Sequence, residues 1–202
     1  MSLFCLFWLP LFYLLWRNVT GNNVFSGGIW ALIAGSLVAL LQFFLGSFTE
    51  PEGFGISRWI NGFVDIITLP ALVPLLVYLL FKVCRIISGD MDFVAFALLW
   101  LIPTGAIRAL SWSAQRDPVH LILAPILWTA IIVGVPFFVG LFQSRRVIVI
   151  IPASLGVLVV PFAATFAYWA FYAQYALWGS LFLFAAIAPM LIVTVFAFLR
   201  AE

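Results

Sequence analysis

Long apolar runs separated by short polar turns dominate the hydrophobicity pattern of this sequence. A helix that crosses a bilayer needs about 20 mainly apolar residues, and six runs meet this requirement. They are 24–48, 63–84, 91–113, 119–142, 147–172 and 176–199. The runs are unbroken, whereas strands of a membrane barrel alternate polar and apolar residues over about 10 positions. The pattern predicts an all-α, polytopic transmembrane helix bundle that forms one transmembrane domain, residues 1–202.

A shorter apolar run at 2–16 precedes these six and ends before Arg17 and Asn18. At about 1.5 Å per residue this run reaches about 22 Å as a helix, and the hydrocarbon core is about 30 Å thick. The sequence therefore leaves two alternatives for this short N-terminal hydrophobic helix. It is either a possible seventh span or a helix that lies in the membrane interface.

Composition supports the membrane assignment and excludes several functional classes. Hydrophobic residues make up 66% of the chain and charged residues 8%, against about 25% charged residues in a typical soluble domain. A net charge of +2 with no basic patch argues against a nucleic-acid partner. The two cysteines are far apart and the chain has one histidine, so neither a disulfide framework nor a metal site is expected. We expect no metal and no cofactor.

The distribution of cations between the connecting segments predicts the orientation of the spans. One set of turns and ends carries Arg17, Lys82, Arg85, Arg145, Arg146 and Arg200. If the six long runs alternate in direction, all six cations fall on one side. The positive-inside rule makes that side cytoplasmic. We therefore expect an integral membrane protein of the bacterial inner (plasma) membrane, with the C-terminus in the cytoplasm.

Ionisable residues are expensive inside a bilayer, so their positions indicate candidate functional sites. The sequence predicts a polar, outward-facing substrate-binding site from Asp65, Arg108, Trp112, Asp117 and His120, all near the outer ends of their runs. Arg108 has two explanations of about equal weight. It binds an anionic group or pairs with Asp65 inside a cavity, or it snorkels to the outer headgroups.

The other candidates also have structural explanations. Asp117 precedes Pro118, which is the arrangement of an N-cap residue followed by proline at the first helical position. His120 follows Asp117 by one helical turn, and no nucleophile motif supports a catalytic pair, so no catalytic residue is assigned. Trp112 fits an aromatic belt at the outer membrane boundary, although an inward-facing tryptophan would stack on a planar ligand.

Small and kinking residues indicate close helix packing and irregular helices. Ala31, Gly35 and Ala39 are spaced four apart and form a small-residue stripe that predicts close approach of another helix. Its partner is a helix of this chain or of another subunit. Prolines such as Pro70 and Pro74 lie inside the apolar runs, where each removes a backbone donor and tends to kink the helix.

In size and layout the chain resembles the substrate-binding subunits of energy-coupling-factor vitamin transporters, and the small-residue stripe is similar to the coupling motif of that family. The resemblance concerns architecture and this stripe. It implies a membrane protein that binds a small molecule at its outer face and associates with other membrane subunits.

Two functional hypotheses follow. The first is a small-molecule transporter or substrate-binding membrane subunit. The alternative is a non-catalytic accessory or assembly subunit of a larger membrane complex. An intramembrane enzyme is disfavoured, because clustered catalytic side chains are missing from the sequence pattern. Beyond the lipid bilayer, the expected partners are other membrane subunits or further copies of the chain in a homo-oligomer.

Overall fold

The protein is an all-helical bundle in the part of the chain that the structure describes. The computed structural model describes residues 2–20, 25–44, 60, 63–87, 91–112, 118–141 and 147–200. The helices are α1 (Ser2–Thr20), α2 (Phe25–Phe44), α3 (a π-helical segment Val64–Leu72 that continues as α-helix Val73–Val83), α4 (Phe93–Trp112), α5 (Pro118–Leu141), α6 (Val147–Tyr172) and α7 (Ala176–Arg200). These bounds lie within a few residues of the ends of the apolar runs.

Four helices of the described residues are long and apolar enough to cross a membrane. The four stretches are Ile66–Val83, Ile122–Val139, Ala153–Tyr172 and Ala176–Val195. Of the six or seven predicted spans, these four are the ones that length and composition of the described helices support. In α2 and α4 the described apolar stretches, Gly27–Leu41 and Phe93–Ile107, are shorter. The fold is therefore that of a helical membrane protein, with four spans supported by length and composition.

Helices that are in contact run parallel in some pairs and antiparallel in others. Gly27 and Gly35 of α2 lie beside Met91 and Trp100 respectively, so α2 and α4 run in parallel. Gly156 of α6 lies beside Phe138 of α5, and this pair is antiparallel. We call the end of the bundle that contains the N-termini of α2 and α4 the inner end, after the predicted orientation.

Helix α1 packs one face against α4 and α5, and large apolar side chains such as Leu11 are exposed on its other face. Leu9 is fully buried and Phe12 is nearly so. At the inner end, the Trp16 indole N–H donates to Asp92 Oδ2 over 2.8 Å. Midway along α1, the Trp8 indole N–H donates to Thr129 Oγ1 over 3.3 Å. The helix also runs beyond the predicted 2–16, because Arg17 and Asn18 continue it as exposed residues.

Helix α5 occupies the centre of the bundle, and 61% of its Ile122–Val139 stretch is buried. It packs against α1, α4, α6, α7 and the π-helical segment. By contrast, 22% of Ala176–Val195 in α7 is buried. The core therefore forms around α4 and α5, while α7 presents most of its surface outward.

Two helices end in the same capping arrangement. Arg85 (φ 57°) follows α3 and Gln174 (φ 63°) follows α6, both in the left-handed region. After each, a backbone N–H reaches the carbonyl five residues earlier, Ile86 to Phe81 and Tyr175 to Ala170. These are Schellman caps, which usually carry glycine at the left-handed position. They reverse the chain tightly and hold α6 and α7 side by side.

Candidate functional site

The predicted site positions fall at the outer end of the bundle. Backbone positions 108 and 112 are in the last turns of α4, position 65 is at the start of the π-helical segment, and position 120 is in the first turn of α5. The side chains of Asp65, Arg108, Trp112 and His120, and all of Asp117, lie outside the described residues. Helix α5 begins at Pro118, as the capping pattern predicts.

Ring contacts at the inner end define the register between α3 and α4. The Tyr78 ring centroid lies 5.6 Å from that of Phe93 and 5.5 Å from that of Phe96. Tyr78 Oη also donates to the Met91 carbonyl over 2.7 Å. These contacts place Tyr78 level with the first turn of α4 and fix the two helices at equal depth there.

This register places positions 65 and 108 at about the same depth. The two helices are antiparallel, so a step outward along α3 goes toward its N-terminus and along α4 toward its C-terminus. Ala95 lies in the first turn of α4, level with Tyr78. Asp65 precedes Tyr78 by as many residues as Arg108 follows Ala95. An acidic and a basic residue type therefore both belong to the outer half of the bundle, on helices that are in contact.

Below position 108, α4 carries two buried polar side chains at successive i, i+4 steps. Thr104 is 2% exposed and Trp100 is fully buried. Thr104 Oγ1 donates to the Trp100 carbonyl over 3.1 Å. Among the described residues, the Trp100 indole nitrogen has no hydrogen-bond partner, and an unpaired buried donor costs about 1–3 kcal/mol. Trp100 is not among the predicted site residues. Its spacing of four to Thr104 and of eight to Arg108 places the three on one face of a helix, so the sequence could have indicated it.

The inner end carries a different set of polar contacts, which hold helices together. Asp92 accepts the Trp16 indole N–H with one oxygen and, with the other, the Val94 backbone N–H over 3.2 Å. It is therefore the N-cap of α4 as well as its attachment to α1. Lys82 Nζ donates to Tyr78 Oη over 3.2 Å and lies 5.3 Å from the centre of that ring. These contacts give Asp92 and Lys82 a structural role in the packing and capping of helices.

The small-residue stripe is buried within the chain. Ala31 and Ala39 are at most 1% exposed, and Gly35 is also buried. A Cβ placed on Gly35 would collide with the Trp100 carbonyl oxygen and would stand 3.1 Å from its carbonyl carbon. The structure thus places α4 of the same chain against the stripe at Gly35. A residue as large as alanine does not fit there without movement of the helices.

The described residues do not bring three or more His, Cys, Asp or Glu side chains together. The candidate site therefore stays a prediction at positions 65 and 108, and the structure adds the buried Trp100 and Thr104 on α4. The chain matches no model of a known protein family, no curated protein and no solved structure.

Proposed function

We propose that this chain is a small-molecule carrier, or the substrate-binding membrane subunit of one, with a polar site at the outer end of its helix bundle. The observation that supports the proposal is the α3–α4 register, by which both positions 65 and 108 belong to the outer half of the bundle. A cation and an anion type at the same level of a membrane bundle indicate a pair or a shared ligand.

In this proposal Arg108 binds an anionic group of the substrate. Asp65 balances its charge when the site is empty. Trp112, Asp117 and His120 supply further contacts at the mouth of the site, where α4 ends and α5 begins. The expected substrate is a small molecule with one anionic or strongly polar group and an apolar or planar body.

The proposal includes seven crossings. Helices α2 and α4 each have 20 residues, which corresponds to about 30 Å. Helix α1 has 19 residues, or about 28 Å, and its buried Leu9 and Phe12 favour a crossing over a position in the interface. The N-terminus then lies outside and the C-terminus lies in the cytoplasm of a bacterium.

A second candidate function is an accessory or assembly subunit of a larger membrane complex. The weak burial of α7 favours it, because large apolar side chains such as Leu177, Trp178 and Phe184 are exposed on this helix. Such a face suits either lipid or a partner helix. The two candidates differ in where the functional surface lies: at the outer end of α3 and α4, or along α7.

Thermal unfolding of the purified protein in detergent, with pools of small anionic metabolites, distinguishes these candidates. For a carrier we expect one pool to raise the unfolding midpoint, since a ligand that binds the folded state stabilises it by mass action. The Arg108→Ala variant should lose this shift. Arg145→Ala, which removes a cation from the predicted cytoplasmic side, should retain it.

The opposite results are equally informative. A shift that survives in Arg108→Ala contradicts the proposed site. The accessory role is favoured if no pool shifts the midpoint and a fixed partner co-purifies from the native membrane. Disruption of that partner by Trp178→Ala, with no effect of Arg108→Ala, would assign the functional surface to α7.

A further inference from the structure

The π-helical segment Val64–Leu72 is the one departure from α-helix among the helices of the described residues. Its backbone bonds reach five residues back, as the Val73 N–H does to the Thr68 carbonyl. Pro70 lies inside the segment and Pro74 follows one turn later. π-helical turns are rare and are frequently found at functional sites.

The two prolines leave two carbonyl oxygens without a donor in this ladder. In an i→i+5 pattern the carbonyl of Asp65 would receive the N–H of residue 70, and that of Leu69 the N–H of residue 74. Both positions are proline, which has no N–H. For Leu69 the α-helical alternative is also lost, because the Val73 N–H is bonded to Thr68. The two carbonyls lie about one turn apart.

The Thr68 hydroxyl adds a third oxygen that lacks a hydrogen-bond partner among the described residues. Hydroxyls elsewhere in the helices donate to the carbonyl four residues earlier. Such bonds are made by Ser36, Thr104, Thr129, Thr165, Ser180 and Thr194, at 2.7–3.1 Å. Thr68 is half-buried, and its side-chain hydroxyl makes no hydrogen bond within the described part of the chain. A threonine hydroxyl can reach carbonyls three and four residues back, so the Asp65 carbonyl is within the range of its side chain.

This oxygen-rich segment lies inside the bundle. Ile66 is fully buried and Ile67 is 6% exposed, and Pro70 is buried as well. The segment packs mainly against α5 and α6. At membrane depth, irregular backbone persists where it is covered by protein or lines a polar cavity, since unpaired carbonyls are costly in lipid.

We propose that the π-helical segment binds a monovalent alkali cation of the sodium class through the carbonyl oxygens of Asp65 and Leu69 and the hydroxyl of Thr68. Unwound backbone carbonyls of membrane helices coordinate such ions. Neutral oxygens suit a monovalent cation, whereas calcium and magnesium sites rely on carboxylates. The acidic residue type at position 65 adds a formal negative charge. The cation would lie near the depth of position 108.

The test is thermal unfolding of the purified chain in detergent, with sodium chloride replaced stepwise by N-methylglucamine chloride at constant ionic strength. We expect a saturable rise of the unfolding midpoint with sodium. Thr68→Val keeps the side-chain shape and should weaken the apparent sodium affinity by about tenfold, the loss expected for one polar contact. Thr194→Val is the matched control, because its hydroxyl already bonds the Met190 carbonyl, and it should respond as the parent does.

Pro70→Ala is the second variant. It supplies an N–H to the segment, so it should abolish the sodium response while it preserves or raises stability without sodium. The proposal is overturned if sodium and N-methylglucamine give the same midpoint, or if Thr68→Val and Thr194→Val respond alike. Should Pro70→Ala fail to fold, the threonine pair still decides. No metabolite enters this assay, so its result is independent of the proposed substrate site.

Discussion

Single residues carry the turns of this bundle, and two of them have an unusual identity. Gln174 adopts a left-handed conformation at the Schellman cap that joins α6 to α7. A side chain in that conformation brings its Cβ close to the following carbonyl oxygen. Glycine has no Cβ and avoids this contact. The native glutamine therefore makes the folded state less stable than glycine would at this position.

We expect Gln174→Gly to raise the free energy of unfolding by about 1 kcal/mol, because glycine removes the left-handed penalty. The measurement is the midpoint of denaturant unfolding in detergent. Gln174→Ala retains a Cβ and should give no such gain. Equal stability of the glycine and alanine variants would show that the cap is not strained.

The residue scale also shows what sequence can and cannot predict. Pro118 was predictable as a helix start because Asp–Pro is a capping signal. The cap at Gln174 was not, since its left-handed conformation is set by the tertiary reversal of α6 onto α7. The spacing of Trp100 to Thr104 and Arg108 was visible in the sequence, but the unpaired state of its indole N–H among the described residues was not, because it depends on the packing around the ring.

At the scale of elements, the approach of α2 to α4 depends on Gly35. Its missing side chain lets the helix backbone lie against that of Trp100. Gly134 of α5 is a contrasting glycine, since a Cβ there would meet Pro189 and Val160 at 3.5 Å, an ordinary contact distance. A methyl group would therefore fit at Gly134 but not at Gly35.

Gly35→Ala should lower the free energy of unfolding by about 1–3 kcal/mol, the usual cost of overpacking. Gly134→Ala should be close to neutral. Both are measured by thermal unfolding in one detergent. If the two substitutions destabilise equally, the loss reflects the removal of glycine in general, and the close α2–α4 approach is not its cause.

The bounds of the helices were predictable to within a few residues, because apolar runs end where polar residues would otherwise enter lipid. The π-helical segment was not. Pro70 and Pro74 predict an irregular helix. They do not distinguish a kinked α-helix from a π-helical segment. That choice depends on the packing of buried Ile66 against its neighbours, which local sequence does not contain.

At the scale of the whole molecule, the number of crossings depends on α1. Its apolar run was predicted to end at residue 16, because the count stopped at the first polar residues. The helix continues to Thr20, since a helix at a membrane boundary tolerates polar residues in its last turn. Its contacts with α4 and α5 place it among the other helices.

Seven crossings predict that the two termini lie on opposite sides of the membrane. In a variant without Cys5 and Cys84, a cysteine at Ser2→Cys should react with a membrane-impermeant maleimide in intact cells. A cysteine at Glu202→Cys should react only after permeabilisation. Protection of both positions in intact cells would instead place α1 at the cytoplasmic interface and reduce the number of crossings to six.

The contacts of α1 with helices that come much later in the chain have a consequence for how the protein is made. The hydrogen bonds of α1 join residues 76 and 121 positions apart in the chain. At synthesis rates of about 5–20 residues per second, the ribosome delivers Thr129 about 6–24 s after Trp8. If α1 crosses the membrane as proposed, it is there during that interval without its later neighbours. The face of α1 that contacts α5 therefore has no partner in the early bundle. The first helix to be synthesised is among the last to complete its contacts.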